Sequence, residues 1–278
     1  MVRLFKADIV VLVVVGAVVL GAALLGSALT PQAPWIPAAA IGATAISAVA
    51  LELYRRLQAQ FKEVAAAQER STRAAFQQTE AILSVIHTIA PVAPLPATRT
   101  WAASPDILNH LCRLVLARQP EQVFEVGSGV STLTMAYCLR RIGRGRILSL
   151  ESDARFAEST RQMLAEHGLN GMATVVHAPL TEIEIGGERW RWYDVARIPP
   201  VPPVDLLFVD GPHGLTQPLA RYPALPVLSS RLSSRAVIVL DDGARPDERA
   251  IAERWARELG SPAEYLFVEK GAYQFERG

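Results

Sequence analysis

The segment VFEVGSGVST, residues 123–132, decides the fold, because an apolar run passes directly into a glycine-rich turn and then into small polar residues. Val123 to Val126 predicts a buried strand, and a helical pattern from Ser131 to Arg141 follows the turn. A glycine-rich turn between a strand and a helix lets a backbone approach a ligand closely. The segment therefore predicts a ligand site at the carboxyl end of a parallel strand.

Four further apolar runs alternate with helical patterns along the chain. They are Arg146 to Leu150, Thr174 to His177, Val204 to Val209 and Ala236 to Leu240. Strands that are apolar on both faces and alternate with helices predict a parallel sheet covered on both sides. The expected fold class is therefore α/β, doubly wound, with a mostly parallel sheet.

Residues 181–193 interrupt this alternation. Period-two patterns on both sides of Gly186 and Gly187 predict a β-hairpin, with Trp190 and Trp192 on one face. Two roles are open for these tryptophans, covering an edge of the sheet and lining a substrate entrance.

The N-terminal region differs in character from the rest, since Ile9 to Leu51 contains no Asp, Glu, Lys or Arg. Ile9 to Leu29, 21 residues, is long enough as a helix to cross a hydrocarbon core of about 30 Å. A second, shorter membrane helix is expected from Trp35 to about Leu53. A cleaved signal peptide is disfavoured because its apolar region is normally shorter. Basic residues flank both ends of this hairpin, which predicts a membrane protein with two spans and both termini in the cytoplasm.

Four regions follow from these patterns. Residues 1–54 are expected to form the membrane anchor, residues 55–90 a helical stalk, residues 91–100 a proline-rich linker and residues 101–278 a catalytic domain. Self-association through the anchor or the stalk is open.

The overall charge argues against a nucleic-acid partner. Lys and Arg total 28 against 27 Asp and Glu, for a net charge of +1, whereas nucleic-acid-binding domains are usually strongly basic. Cys112 and Cys138 are too few for a disulfide framework or a cysteine metal cluster.

An acidic residue ends the second expected strand. Glu151 follows Gly127 by 24 residues, the spacing at which a carboxylate accepts hydrogen bonds from the two hydroxyls of a ribose. The dinucleotide fingerprint requires a third glycine where Thr132 stands, which disfavours a nicotinamide-dependent oxidoreductase. Glu125 would also repel a phosphate. A nucleoside that carries an amino-acid group suits this combination best.

Four motifs in this order resemble the class I S-adenosylmethionine-dependent methyltransferases over about residues 101–278. They are EVGSGVST at 125–132, LSLE at 148–151, LFVDGPH at 207–213 and VIVLDD at 237–242. The last two are similar to the bacterial small-molecule O-methyltransferase branch. Val176 to Pro179 departs from the family, which frequently has an acidic adenine contact there.

The resemblance implies a site for S-adenosyl-L-methionine. Gly127, Gly129 and Ser131 would contact the methionine part and Glu151 the ribose, with Glu125 shaping the floor. The complete set of expected cofactor-binding residues is Glu125, Gly127, Ser128, Gly129, Ser131, Thr132, Glu151, Ser152 and Asp210.

Three carboxylates, Asp210, Asp241 and Asp242, are expected to meet at the carboxyl edge of the sheet. Such an all-oxygen set suits Mg²⁺, which would lower the pKa of an acceptor hydroxyl. Related metal-dependent O-methyltransferases have Asn where Asp242 stands. The alternative is that no metal binds and that Asp242 interacts with Arg245.

The expected catalytic residues are Asp210, His213 and Asp241, with His213 as a general base near neutral pH. The resulting hypothesis is methyl transfer from S-adenosylmethionine to an oxygen of a small or lipid-linked acceptor at the cytoplasmic face of the membrane. The alternative is a nucleoside-binding membrane scaffold protein without catalytic activity.

Overall fold

A computed structural model describes residues 13–14, 16–18, 20–22, 24–25, 28, 35–99 and 102–277. The chain divides into two compact units, Met1–Arg73 and Ala74–Gly278. The second unit contains the sheet and is the one that concerns function.

The secondary structure follows the alternation expected from the sequence. The helices are α1 (Trp35–Ile89), α2 (Pro105–Arg118), α3 (Val130–Ile142), α4 (Ala154–Glu166), α5 (Ala224–Leu228) and α6 (Pro246–Leu259). The strands are β1 (Gln122–Val126), β2 (Arg146–Glu151), β3 (Ala173–His177), β4 (Leu180–Ile185), β5 (Glu188–Tyr193), β6 (Val204–Val209), β7 (Leu232–Asp241), β8 (Glu264–Leu266) and β9 (Ala272–Glu276).

Seven strands form the main sheet in the order β3-β2-β1-β6-β7-β9-β8. The first five are parallel, β9 runs antiparallel to β7, and β8 runs antiparallel to β9. The order of the strands reverses between β1 and β6, and at such a switch point an open α/β sheet has a crevice beyond its carboxyl edge. The predicted doubly wound, mostly parallel sheet is confirmed.

Apolar side chains cover both faces of this sheet. Along β1, Val123 belongs to one core cluster and Phe124 to the other, because successive residues of a strand point to opposite faces. Helices α2 and α3 contribute to the first cluster, and α5, α6 and the β4–β5 hairpin contribute to the second. Packing on both faces fixes the positions of the strand ends. The loops that follow those ends form the site, so their starting points are fixed as well.

The predicted hairpin is present as a separate two-stranded sheet. Gly186 and Gly187 connect its strands with φ values of 61° and 82°, which side chains disfavour. Trp190 and Trp192 are buried in the second core cluster. The role of these tryptophans is therefore packing in the core, and neither lines the crevice described below.

Helix α1 joins regions that the sequence separated into anchor and stalk, since it runs without interruption from Trp35 to Ile89. Its last turns belong to the second unit. There, Gln78 Nε2 donates a hydrogen bond of 2.7 Å to Asp106 Oδ2, and Ser84 Oγ donates one of 2.9 Å to Asn109 Oδ1. Val85 is fully buried in the first core cluster. The unit thus begins before the proline-rich segment at which the sequence placed its boundary.

The predicted membrane hairpin finds no support in the described part of the chain. Of the 21 residues of its first span, Ile9 to Leu29, 11 are described and the other 10 lie outside the described residues. Its second span, Trp35 to Leu53, is the N-terminal part of α1. Among the described residues, no helix is long and apolar enough to cross a bilayer.

Candidate active site

The glycine turn after β1 passes very close to the chain that follows β6. Gly127 has a φ of 100°, and a Cβ placed on it would lie 3.2 Å from the carbonyl carbon of Asp210. Its N–H donates a 2.9 Å hydrogen bond to Leu150 O. A residue without a side chain is required here, both for the backbone angle and for the close approach of the two segments.

Glu125 supports this turn from beneath. The carboxylate is fully buried and accepts hydrogen bonds from Ser131 Oγ, at 2.6 Å, and from Thr132 Oγ1. Burial raises the pKa of Glu125 to about 7. Thr132 Oγ1 also accepts a 3.0 Å hydrogen bond from the N–H of Gly129. These contacts hold the turn against the first turn of α3.

Glu151, at the end of β2, is held by neutral donors. Its Oε2 accepts hydrogen bonds from Ser128 N at 3.2 Å and Ser128 Oγ at 3.1 Å, and its Oε1 accepts one of 3.0 Å from Asp153 N. These donors fix the carboxylate at the edge of the crevice without cancelling its negative charge.

The loops at the switch point enclose a crevice of about 410 Å³, within the size range of small-molecule sites. Eight residues expected from the sequence line it, and these are Gly127, Ser128, Ser131, Glu151, Ser152, Asp210, His213 and Asp242. We call Gly127, Ser128, Ser131 and Glu151 the donor side, and Asp210 and Asp242 the acid side.

Three of the expected cofactor-binding residues do not line the crevice. Glu125 and Thr132 are buried behind the glycine turn, and Gly129 is absent from the lining. Glu125 and Thr132 make contacts that support the glycine turn, and direct contact of these three residues with the cofactor stays a prediction.

The acid side is organised around a buried arginine. Nη2 of Arg221 lies 3.1 Å from Asp210 Oδ1 and 2.7 Å from Asp242 Oδ2. Arg245 Nη1 also lies 2.9 Å from Asp242 Oδ2, which confirms the interaction considered as the alternative to a metal. Both carboxylates are thus paired with cations of the chain itself.

Asp241 occupies a different place from its two predicted partners. It is fully buried and does not line the crevice, and within the described structure neither carboxyl oxygen has a hydrogen-bond partner. Burial raises its pKa to about 8. The expectation that Asp241 acts on a substrate or a metal is corrected accordingly.

The predicted Mg²⁺ site does not fit this arrangement. A hard ion needs several oxygen ligands around one point, but an arginine nitrogen lies between Asp210 and Asp242, and Asp241 lies away from the crevice. The described residues contain no group of three or more acidic, histidine or cysteine side chains placed to hold an ion.

His213 lines the crevice as expected and accepts a hydrogen bond from the backbone. The N–H of Leu215 donates a 3.1 Å hydrogen bond to Nδ1 of His213. A neutral imidazole that accepts at Nδ1 carries its proton on Nε2. This contact is the observation that bears on His213, and its expected role as a general base stays a prediction.

Several lining residues were not expected from the sequence, namely Phe156, Tyr193, Arg221 and Lys270. Tyr193 ends the hairpin, and its hydroxyl packs against Gly211 so closely that a side chain there would collide with it. In the sequence, only the glycine of the motif LFVDGPH, Gly211, indicated that another group packs closely here. Arg221 and Lys270 lie outside all four motifs, so the sequence alone gave no signal for them.

Comparison with known proteins gives one family match. Residues 124–243 match the family model Methyltransf_24, described as a methyltransferase domain. No curated protein matches the chain.

Solved structures with a similar fold include a methyltransferase of Podospora anserina, PaMTH1, bound to SAH. It has a TM-score of 0.51 and 16% identity, covering 76% of this chain and 96% of that one. A putative caffeoyl-CoA O-methyltransferase from Staphylococcus aureus has a TM-score of 0.50 and 12% identity, covering 76% and 100%. At such identities the likeness shows the fold alone.

The matched segment contains the end of β1 with its glycine turn, Glu151, and the ends of β6 and β7, which are the elements that build the crevice. The chain thus contains a segment, residues 124–243, that matches a methyltransferase domain.

Proposed function

We propose that the protein transfers the methyl group of S-adenosylmethionine to an oxygen of a small-molecule acceptor. One observation carries this proposal: a single crevice brings a fixed carboxylate on the donor side, Glu151, together with a partly exposed carboxylate on the acid side, Asp210. The first suits a nucleoside, and the second suits a hydroxyl that must lose a proton.

The donor side fits the cofactor. Hydrogen bonds from Ser128 and Asp153 fix the position of the Glu151 carboxylate, which can accept hydrogen bonds from ribose hydroxyls. Gly127 lines the crevice beside it, where the backbone of the turn can approach the methionine part closely. When bound, S-adenosylmethionine supplies a methyl group on a positively charged sulfur.

Asp210 is the base in this proposal. Its carboxyl group lines the crevice with 21% of the side chain exposed, and burial raises its pKa to about 6. A base of this pKa is largely ionised at neutral pH and still accepts a proton readily. Asp210 takes the hydroxyl proton as the acceptor oxygen bonds to the methyl carbon. The methyl–sulfur bond breaks at the same time, and its electron pair stays on the sulfur.

Two observations support oxygen as the receiving atom. A carboxylate beside the crevice serves deprotonation of a hydroxyl. In addition, the structural neighbour from Staphylococcus aureus is named as a putative O-methyltransferase.

The test uses the full-length protein. Titration calorimetry is expected to show binding of S-adenosylmethionine by the wild type and much weaker binding by Glu151→Gln. Incubation with methyl-labelled cofactor and a small-molecule extract is expected to give labelled products that mild alkali or specific ether cleavage identifies as esters or ethers. A wild-type protein that does not bind S-adenosylmethionine, or products labelled on nitrogen, would contradict the proposal.

A lipid-linked acceptor at the cytoplasmic face of the membrane remains a prediction from the uncharged stretch Ile9 to Leu51. Extraction of cell membranes with alkaline carbonate tests this prediction. A full-length chain that spans the membrane would stay in the pellet, whereas release into the supernatant would rule out integral attachment.

A further inference from the structure

The clearest unassigned feature of the crevice is the environment of Arg221. Its side chain is only 4% exposed, and it lies between two carboxylates that are 32 residues apart in the chain, Asp210 and Asp242. Besides these two contacts, Nη1 donates a 3.0 Å hydrogen bond to the backbone oxygen of Asp241. Nε lies 3.7 Å from Glu248 Oε1.

This position coincides with the one that the sequence predicted for a divalent ion. Both Asp210 and Asp242 direct an oxygen at the same atom, Nη2 of Arg221. A magnesium ion shared by these oxygens would have to lie about 2.0–2.1 Å from each of them. The guanidinium occupies that space, so the arginine and the ion exclude one another.

The electrostatic balance favours the arginine. A guanidinium remains charged at all relevant pH values, forms directed hydrogen bonds to carboxylates and is easier to desolvate than a compact cation. Its acidic neighbours raise the pKa of Arg221 further, against the effect of burial. The buried carboxylates therefore have a permanent counter-charge that is independent of ions in solution.

We propose that the guanidinium of Arg221 is the resident cation of the acid side and takes the place that a divalent metal would occupy between Asp210 and Asp242. Arg221 is thus a positioning residue, since it holds the carboxylate of Asp210 at the crevice. The inference rests on the proposed function only for the role of Asp210 as base. The exclusion of a metal stands on the contacts of Arg221 alone.

The test measures metal binding and needs no acceptor. Full-length wild-type protein, treated with a chelator and then dialysed, is titrated with Mn²⁺ by calorimetry, and bound Mn²⁺ is also followed by electron paramagnetic resonance. We expect no stoichiometric site in the wild type. In Arg221→Ala the two carboxylates are left without the guanidinium between them, and Mn²⁺ should bind at least about tenfold more tightly than any weak binding that the wild type shows.

Two further variants separate the effect of the charge from the effect of lost volume or failed folding. Arg221→Lys retains a cation and should not gain Mn²⁺ affinity, whereas Arg221→Gln removes the charge with less loss of volume and should gain it if Arg221→Ala does not fold. A wild-type site for Mn²⁺ that Asp242→Asn abolishes would overturn the proposal. So would a folded Arg221→Ala or Arg221→Gln that shows no gain in affinity.

The outcome is separable from that of the proposed function. Binding of S-adenosylmethionine by the chelator-treated wild type reports on the donor side, while the Mn²⁺ titration reports on the acid side. Loss of cofactor binding without any Mn²⁺ site would contradict the proposed function and leave the role of Arg221 intact.

Discussion

The donor side and the acid side of the crevice hold their carboxylates by different means. Glu151 is fixed by neutral donors of Ser128 and Asp153, and its charge remains available to a ligand. Asp210 and Asp242 are fixed by a buried cation, Arg221, which compensates their charges within the protein. The comparison indicates that the donor side is built to bind, whereas the acid side is built to keep a charged group in place.

The largest effect is expected on stability, from removing the cation of the acid side. Arg221→Ala should lower the free energy of unfolding by about 3–5 kcal/mol, because it removes the buried cation that Asp210 and Asp242 share. Arg245 also contacts Asp242 but is 46% exposed, so Arg245→Ala should cost less than about 1 kcal/mol. Denaturant unfolding measures both. Equal losses in the two variants would show that the buried arginine has no special role.

On the donor side, Glu151→Gln should mainly affect binding. The loss of a charged acceptor for the ribose hydroxyls should weaken the affinity for S-adenosylmethionine by about 2–3 kcal/mol, or about 30- to 150-fold. Glu158→Gln is the matched control, since Glu158 lies on the exposed part of α4 in an ion pair with Arg161. Calorimetric affinities that are alike for the two variants would contradict the placement of the ribose at Glu151.

The pH dependence of stability tests the buried carboxyl beneath the donor side. The pKa of Glu125 is raised from 4.5 to about 7 in the folded protein, so between these values the folded state keeps a proton that the unfolded state has lost. Its contribution to stability is therefore complete below pH 4.5 and lost as the pH rises to about 7. Glu125→Gln removes this dependence, so its stability relative to the wild type should be about 3 kcal/mol greater at pH 8 than at pH 4.

Unfolding of the two proteins at pH 4 and pH 8 provides the measurement. The difference between them isolates Glu125, because all other titrating groups are common to both. A difference in stability that is the same at both pH values would show that this carboxyl has an ordinary pKa.

A smaller effect is expected where the two sides meet. Gly127→Ala places a side chain at a φ of 100° and 3.2 Å from the backbone of Asp210. We expect a loss of stability of about 1–2 kcal/mol, measured by thermal unfolding. Gly171→Ala is the control, because a Cβ at that exposed turn meets nothing within 4 Å. If both substitutions are tolerated equally, the close approach of the two loops is wrong.

The smallest effect concerns the hydroxyl that holds Glu151. Ser128→Ala removes a 3.1 Å hydrogen bond to Oε2 but leaves the backbone donor of residue 128. The affinity for S-adenosylmethionine should fall by about 1 kcal/mol or less. Ser159→Ala, on the exposed surface of α4, should leave the affinity unchanged. A loss as large as that of Glu151→Gln would mean that Ser128 itself contacts the cofactor.

Local patterns in the sequence were sufficient to predict most of the sheet. The buried strand predicted for Val123 to Val126 is β1, and the predicted ribose-binding acid ends β2. Strand β7 begins at Leu232, earlier than the predicted Ala236. The sequence pattern missed this first part because it contains exposed polar residues, which are not typical of a buried strand. The antiparallel strands β8 and β9 were not predicted, since short strands near the end of a sheet lack a long apolar run.

The acid side shows where sequence reasoning stops. The order of the strands predicted that the ends of β6 and β7 would lie near the glycine turn, and Asp210 and Asp242 are indeed there. Asp241 and Asp242 are neighbours in sequence, but only the second lines the crevice. The pairing of Arg221 with these carboxylates depends on how a loop of the folded chain returns to the sheet, and no spacing or motif encodes that return.

The packing of the end of α1 has a practical consequence. Val85 and Ile89 are buried against α2 and α3, and the N–H of Val92 donates a hydrogen bond to the hydroxyl of Tyr137. A recombinant fragment that begins at residue 91 would lack Val85 and Ile89 and would expose the apolar surface that they cover. Such an exposed surface favours aggregation. Shortened versions intended for crystallisation or assay should therefore start no later than Ala74, so that the second unit keeps the end of α1 that packs on it.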